Sequence, residues 1–366
     1  MAFEVACCIA LGDSTVYNQL MPVAKHPSVS KIWLVRAKKC AYGSIPKAEH
    51  IIIPNRSKLW RLLLMLKACL KLGRSKDVKA YISFNPIPYG LISLIAAKFN
   101  KKPVHLGFIG SDWNLYTKGK WRTFLIALFK RADFITATGL KMKNEMVSLG
   151  LDANRISILP HCIDLNRFTV AEQDSKRYTC IFVGNLIEIK RVNVILQGFA
   201  QVVNAHPDAR LCIVGDGPLA DNLKTEASKL NISDNVDFTG FTPDVQSYLA
   251  DSKIVVIASE HEGLPFALVE GMCTGLIPIS TPVGTIPDLI VDGENGLLFP
   301  QNDSTALARC INRLIDDEQF YLRMREKVLQ MRTHFAYDKA TDTWDKWLTS
   351  LQGKIISPHK PKRQSQ

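Results

Sequence analysis

The chain has 366 residues, 47% hydrophobic and 22% charged, the composition of a folded protein with room for two cores and not of a low-complexity or collagen-like polymer. Its net charge of +12 is uneven: residues 1–168 hold 26 basic and 9 acidic side chains, a balance of +17, and the rest hold 20 and 25, a balance of −5. The nine cysteines include the adjacent pair Cys7 and Cys8 and show no CxxC or Cys/His spacing, so reduced core thiols are expected and a zinc site is not.

No basic n-region precedes the first apolar segment, and the clearest aliphatic run, 62–66, is too short to cross a bilayer. The expectation is a cytoplasmic protein, soluble or peripheral on the membrane face. In chain order, FEVACCIAL opens as a buried strand, and KIWLVRA (31–37) and EHIIIP (49–54) are two more. A helix is expected over 57–73, a strand at 80–84, a helix over 88–100 and a strand at 103–110. Helix 120–131 and strands 133–138 and 155–160 follow. A polar linker, 165–178, precedes a second series with strands at 178–184, 209–215, 235–240, 253–259 and 276–281. Helices are expected between them at 190–204, 218–229, 243–250 and 265–274. Strands alternating with helices imply parallel sheets covered on both faces, with ligands at the carboxyl ends of the strands. One or two helices fill 304–333.

The stretch EGLPFALVE (262–270) narrows the chemistry most. It sets Glu262 and Glu270 eight positions apart across a loop-to-helix junction. Pro265 suits the first helical turn, and the amides of Gly263, Leu264 and Phe266 would face outward as a phosphate site. Carboxylates accept pairs of hydroxyl hydrogens, which suits a sugar at one end and a ribose at the other. Gly184 ends a strand and opens a turn into a helix that carries Lys190 and Arg191. Cations at a helix start oppose its dipole, which favours a phosphate partner for them. Gly215 and Gly217 in GDGP permit a tight turn, and Asp216 reads as a turn residue.

Residues 258–300, ASEHEGLPFALVEGMCTGLIPISTPVGTIPDLIVDGENGLLFP, resemble the signature of glycosyltransferase family four. Three more segments match: ILPHCIDLNRF (158–168), CIFVGNLIEIKRVNVILQGFA (180–200) and LCIVGDGPLADNL (211–223). The resemblance covers the C-terminal half nearly end to end and the N-terminal half loosely. It implies a retaining, nucleotide-sugar-dependent transferase of GT-B fold, two Rossmann-like domains facing an interdomain cleft. The expected division is an acceptor-binding domain at 1–168 and a donor-binding domain at 169–335. A helix at 336–352, with Trp344 and Trp347, would cross back to the first domain, and 353–366 would be a disordered basic tail.

The resemblance also assigns roles. Lys190 would contact the donor diphosphate, while Asn185 stands where the family carries arginine and brings no charge. Gly240, Phe241 and Thr242 would lie near the base, though Phe241 fits a core aromatic equally well. Glu262 would hold the donor sugar and Glu270 the ribose. The loop HLGFIGSDWNLY (105–116) resembles the family loop that faces donor and acceptor, with Ile109 in the histidine position. Gly110, Ser111 and Asp112 are the acceptor-side candidates together with Gly12, and Asp112 keeps the acidic position. His105 reads as a structural histidine. No metal and no cofactor are expected, the nucleotide sugar being a substrate.

Residues 57–74 and 118–131 pair tryptophan with lysine and arginine at helical spacing, which suits an anionic membrane surface and a saccharide or lipid-linked acceptor. In the first, Trp60, Leu64, Lys67, Lys71 and Arg74 share one face. A nucleic-acid partner is not expected, since no recognition module accompanies the basic residues. A dehydrogenase is excluded by the lack of a GxGxxG after a strand. The alternative to an enzyme is a degraded nucleotide-sugar-binding subunit with an assembly or regulatory role, which Asn185 and Ile109 favour.

Overall fold

The computed structural model describes residues 2–40, 42–109, 112–117, 119–170 and 176–353. Gly110, Ser111 and the tail from Lys354 lie outside them, and so does the side chain of Asp112.

The first series is β1 (Phe3–Cys8), α1 (Asp13–Lys25), β2 (Val29–Arg36), β3 (Ala48–Ile52), α2 (Lys58–Leu72) and β4 (Val78–Ser83). It continues with α3 (Leu91–Asn100), β5 (Val104–Gly107), α4 (Asp112–Thr117), α5 (Arg122–Phe129), β6 (Phe134–Ala137), α6 (Leu140–Ser148) and β7 (Ile156–Ile158). These strands form a seven-stranded sheet in the order β3-β2-β1-β4-β5-β6-β7. The second series is β8 (Tyr178–Val183), α7 (Val192–Ala205), β9 (Leu211–Val214), α8 (Ala220–Lys229), β10 (Val236–Gly240) and α9 (Val245–Ala250). After it come β11 (Ser252–Ile257), α10 (Phe266–Thr274), β12 (Ile277–Ser280) and β13 (Leu297–Leu298). The six strands lie in the order β10-β9-β8-β11-β12-β13, with parallel pairing throughout. Helices α11 (Ser304–Asp316), α12 (Glu318–Gln330) and α13 (Tyr337–Gly353) complete the chain. Both halves are thus doubly wound parallel sheets, and no described helix is long and apolar enough to cross a membrane.

By packing, the described chain falls into two compact units. One comprises the residues up to Gly107, Arg131–Ile135 and those from Thr341; the other comprises Phe108–Lys130 and Thr136–Ala340.

Alternation along the strands builds the core of the second unit. Cys180, Phe182, Leu211, Ile213, Ile254 and Val256 point to one face, where Ile195, Phe199, Leu307 and Ile311 of α7 and α11 meet them. Ile181, Cys212, Val214, Val255 and Ile257 point to the other, against Leu249 of α9 and Leu268, Val269 and Met272 of α10. Strands buried on both faces read as continuous apolar runs, which is why they were visible in the sequence.

Three helices and one strand were not. Helix α1 contains Pro22 and buries Asn18 and Gln19, so both a breaker and polar core residues mask its period. Helix α6 buries only Met142 and Met146, α4 spans six residues, and β13 spans two. The helix expected from residue 88 begins at Leu91, after a single wide turn over Pro86–Gly90.

In the first unit, Trp344 of α13 is fully buried. Its ring centroid lies 4.6 Å from His105, 5.7 Å from Phe134 and 6.0 Å from Phe84. Burial pushes His105 down to about 3, so it stays neutral in this aromatic cage, as a structural histidine does. The Trp344→Ala change should lower stability by about 3–5 kcal/mol through the cavity it leaves. Trp344→Phe should cost far less, because the indole N–H has no hydrogen-bond partner to lose. Thermal denaturation of both variants checks this; equal losses would mean that the aromatic volume is not what Trp344 supplies.

Candidate functional site

Four loops leave the carboxyl ends of β8, β9, β11 and β12 and are tied to one another by backbone contacts. The Gly184 N–H donates to Val214 O at 3.0 Å, Leu186 N–H to Asp216 O at 3.0 Å and Leu219 N–H to Leu186 O at 3.1 Å. Leu186 is buried and anchors the first loop in the core. A Cβ on Gly215, which has φ of +141°, would come within 1.9 Å of Gly184 O. One on Gly217 would come within 2.5 Å of Leu186 O. These glycines therefore permit close approach of two backbones as well as a turn.

The Glu260 N–H reaches across to Ile189 O at 2.9 Å, bringing the loop after β11 to the loop after β8. Lys190 Nζ and Glu262 Oε1 form an ion pair, and Ser259 Oγ donates to the same Oε1 at 2.7 Å. The side chains are 22% and 11% exposed, open enough for a ligand to reach them and shielded enough for the charges to matter. The structure thus brings together two residues 72 positions apart in the chain.

Arg191 has acid partners of its own. It caps α7 in the left-handed region, with φ of 50°, and its guanidinium is held by Glu260, at 2.9 Å from Nε and 2.5 Å from Nη2, and by Glu188. Two acids already occupy the cation, which makes it a fastener between loops. Its guanidinium is held above the usual arginine value by these acids, Glu260 first.

Helix α10 starts at Phe266, with Pro265 as its cap and no side-chain acceptor there. Pro265 is therefore one position outside the helix, not in its first turn, and Gly263 and Leu264 belong to the preceding loop. The first amides of α10 lack intrahelical partners, and the dipole adds roughly half a positive charge. Glu270 lies just over one turn inside the helix and is 5% exposed, so it is a buried acid and not a solvated one. The Gly263 carbonyl accepts from Thr285 N at 2.9 Å and Thr285 Oγ1 at 3.0 Å. Gly284, at φ of +60°, allows this contact, since a Cβ there would strike Glu262 O at 2.1 Å. His161 packs against the Phe266 ring at 4.7 Å, and burial pushes it down to about 4, leaving it neutral.

At the end of β10, Gly240 has φ of +70° and its carbonyl accepts from Gly215 N at 2.9 Å. Phe241 is 81% exposed, which removes the core alternative for it. Thr242 Oγ1 accepts from Asp244 N at 3.1 Å, and Asn185 is exposed. In the first unit, Gly12 caps α1, and the next residue, Asp13, pairs with buried Arg36 at 2.9 Å. Ser259, Glu260, Gly284 and Thr285 were not singled out as binding residues in the sequence, where nothing marks a side chain that holds another. Among the described residues no group of three or more His, Cys, Asp and Glu is placed to hold a metal.

Arg191→Gly should relieve the left-handed backbone while removing the fastener, and Arg191→Ala removes the fastener and keeps the strain. The alanine variant should therefore melt lower than the glycine variant by roughly 1 kcal/mol. Equal melting points would mean that the backbone at 191 relaxes freely.

Residues 166–331 match the family described as Glycosyl transferases group 1. The chain is 30% identical over 215 residues to an exopolysaccharide phosphotransferase of Streptomyces coelicolor, a match covering 58% of this chain and 23% of that one. It is 31% identical over 207 residues to N-acetyl-alpha-D-glucosaminyl L-malate synthase of Bacillus anthracis, covering 54% of each. The chain thus spans about half, or less, of the length of these curated relatives. The crystal structure of Anabaena HepE in complex with UDP and glucose superposes with a TM-score of 0.80 at 16% identity, covering 96% of this chain and 100% of that one. The loops that carry Lys190, Arg191 and Glu262 and the helix that carries Glu270 all fall inside the matched segment, so this part of the chain is similar to the group 1 glycosyl transferases, and the chain as a whole is folded as a GT-B protein.

Proposed function

We propose that this protein transfers a sugar, with retention of configuration, from a nucleotide-sugar donor to a saccharide or lipid-linked saccharide in cell-surface polysaccharide or glycolipid biosynthesis. The observation that carries the reading is the Lys190–Glu262 pair set beside the uncapped start of α10. A sugar diphosphate brought there finds a cation, a row of amides and an acid that accepts hydroxyl hydrogens. The bound UDP and glucose of HepE support a donor of this class.

In the reaction, the bond from the anomeric carbon to the diphosphate oxygen breaks and a bond from that carbon to the acceptor oxygen forms on the same face. The acceptor's proton passes to the departing phosphate. Negative charge grows on the diphosphate, so Lys190 and the α10 amides do the largest share of the work, in place of a metal. Glu262 releases Lys190 and takes the sugar hydroxyls, kept in position by Ser259. Glu270 holds the ribose, and Gly184, Asn185, Gly240, Phe241 and Thr242 line the nucleotide's path. Asn185 contributes a neutral contact where the family places a cation. Gly12 and Asp112 serve the acceptor side.

Membrane contact completes the reading. On α2 the exposed residues are Lys58, Leu59, Trp60, Leu63, Lys67 and Lys71, so Leu63 takes the surface position expected of Leu64. On the segment leading into α5, Trp121 and Phe124 are 73% and 62% exposed. Aromatic and aliphatic side chains set among lysines suit the headgroup region of an anionic bilayer.

Lys190→Ala and Glu262→Gln should each lower turnover by about 100-fold or more while the melting temperature stays near wild type. Release of nucleotide from a panel of UDP-, GDP-, ADP- and dTDP-sugars, with and without acceptor, measures it. Wild-type turnover in either variant would sink the assignment.

A further inference from the structure

We propose that a basic pocket at the amino ends of β4 and β5 is a headgroup site for an anionic phospholipid, separate from the donor site. The pocket is a cavity of about 620 Å³ whose lining includes Arg74, Lys76, Lys79, Lys101, Lys102 and Phe99. None of its lining residues is acidic. The surrounding elements explain the cluster and also test it. Helices α2 and α3 both end here, and cations commonly collect at helix C-termini. Helix α13 also ends close by, at Gly353, two residues past Leu351 of the lining. Three such ends supply about one and a half negative charges and Asp77 supplies another, so roughly two to three positive charges remain unmatched.

Two further features point to a ligand. Lys102 Nζ is held against the carbonyls of Ser75, at 2.5 Å, and Val78. Burial first and Lys79 second lower its proton affinity, with Asp77 opposing; an arriving anion would offset the Lys79 repulsion. Lys101 occupies the left-handed cap of α3, with φ of 52°, a position that glycine fills most readily.

The choice of a lipid over a soluble phosphate rests on the apolar surroundings. Phe99, in the pocket lining, is 74% exposed. The exposed residues of α2 recur at 60, 63, 67 and 71 and lead to exposed Arg74 in the pocket. Trp60 and Leu63 head that stripe and lysines follow, so one helix face carries both an acyl-seeking and a phosphate-seeking end. The pocket lies at the amino end of β5, about 13 Å along the strand from its carboxyl end at Gly107. A lipid held there would leave the carboxyl ends of the strands free.

The proposal rests on the membrane-contact reading above and adds a discrete site to it. Flotation with phosphatidylcholine vesicles, with and without phosphatidylglycerol, tests both in the full-length protein. Wild type should bind only the anionic vesicles. The triple variant Lys76→Gln, Lys79→Gln, Lys101→Gln should bind on the order of 100-fold more weakly. A control with equal charge loss, Lys224→Gln, Lys229→Gln, Lys327→Gln, should bind as wild type does. Unchanged donor hydrolysis in the triple variant shows that it is folded and keeps the transferase reading apart from this one.

If the pocket variant floats as well as wild type while Trp60→Ala, Leu63→Ala does not, the pocket proposal falls and membrane contact stands. If wild type binds no vesicle, both fall. Glycerol phosphate that raises the melting temperature of wild type but not of the triple variant, without any vesicle binding, would reassign the pocket to a soluble phosphate and overturn the lipid claim.

Discussion

The structure around the candidate site depends on one junction, where the loop after β8 is pinned to the loop after β11. The backbone bond from Glu260 to Ile189 sets the spacing, the Arg191–Glu260 contact locks it, and the Lys190–Glu262 pair sits on top. Everything else supports that junction. Gly215 and Gly217 let the β9 loop press against the first of these loops, and Gly284 lets the β12 loop press against the second. Buried Leu186 ties the arrangement to the sheet core. An amide row at a helix start binds anions only as well as it is held in place, and here four loops hold it.

The fold was largely legible because strands covered on both faces must be apolar at every position, and the turns between them need glycine or proline. The runs at 178–183, 211–214 and 252–257 announced the second sheet in this way. Helix α1 was hidden by Pro22 and by buried Asn18 and Gln19, where tertiary packing overrides local period. At the site, Glu262 and Lys190 were visible through their motifs, and the physical pairing between them was not. The partners of Arg191 were hidden for a related reason. A cation before a helix suggests an anionic ligand, but only three-dimensional proximity shows that Glu260 and Glu188 already answer it. The resemblance put Phe241 near the base, but its residue type alone could not decide, since an aromatic after a strand fits a core as readily as the exposed position it takes.

The charge asymmetry of the chain also acquires a location. The +17 of residues 1–168 is not spread as a uniform solvated face. Part of it gathers at the amino ends of β4 and β5, and part lies along α2 beside exposed Trp60 and Leu63. Ligand sites of doubly wound sheets lie at the carboxyl ends, so a cationic cavity at the amino ends calls for a role other than donor binding. With the proposed lipid site at the amino ends, the carboxyl ends of the same strands would stay free for ligands.

The Lys190–Glu262 pair gives the proposed donor site a resting state. The pair is 22% and 11% exposed, too shielded for Lys190 to give up Glu262 without a replacement negative charge, which a diphosphate would supply. A diphosphate carries more charge than a carboxylate and would also meet the α10 amides, so the exchange runs toward the bound state. In the proposed reaction Glu262, once released, would stay within reach of Ser259 Oγ and face the sugar that the diphosphate brings with it. The same acid would then shield the cation before binding and accept the sugar hydroxyls after it.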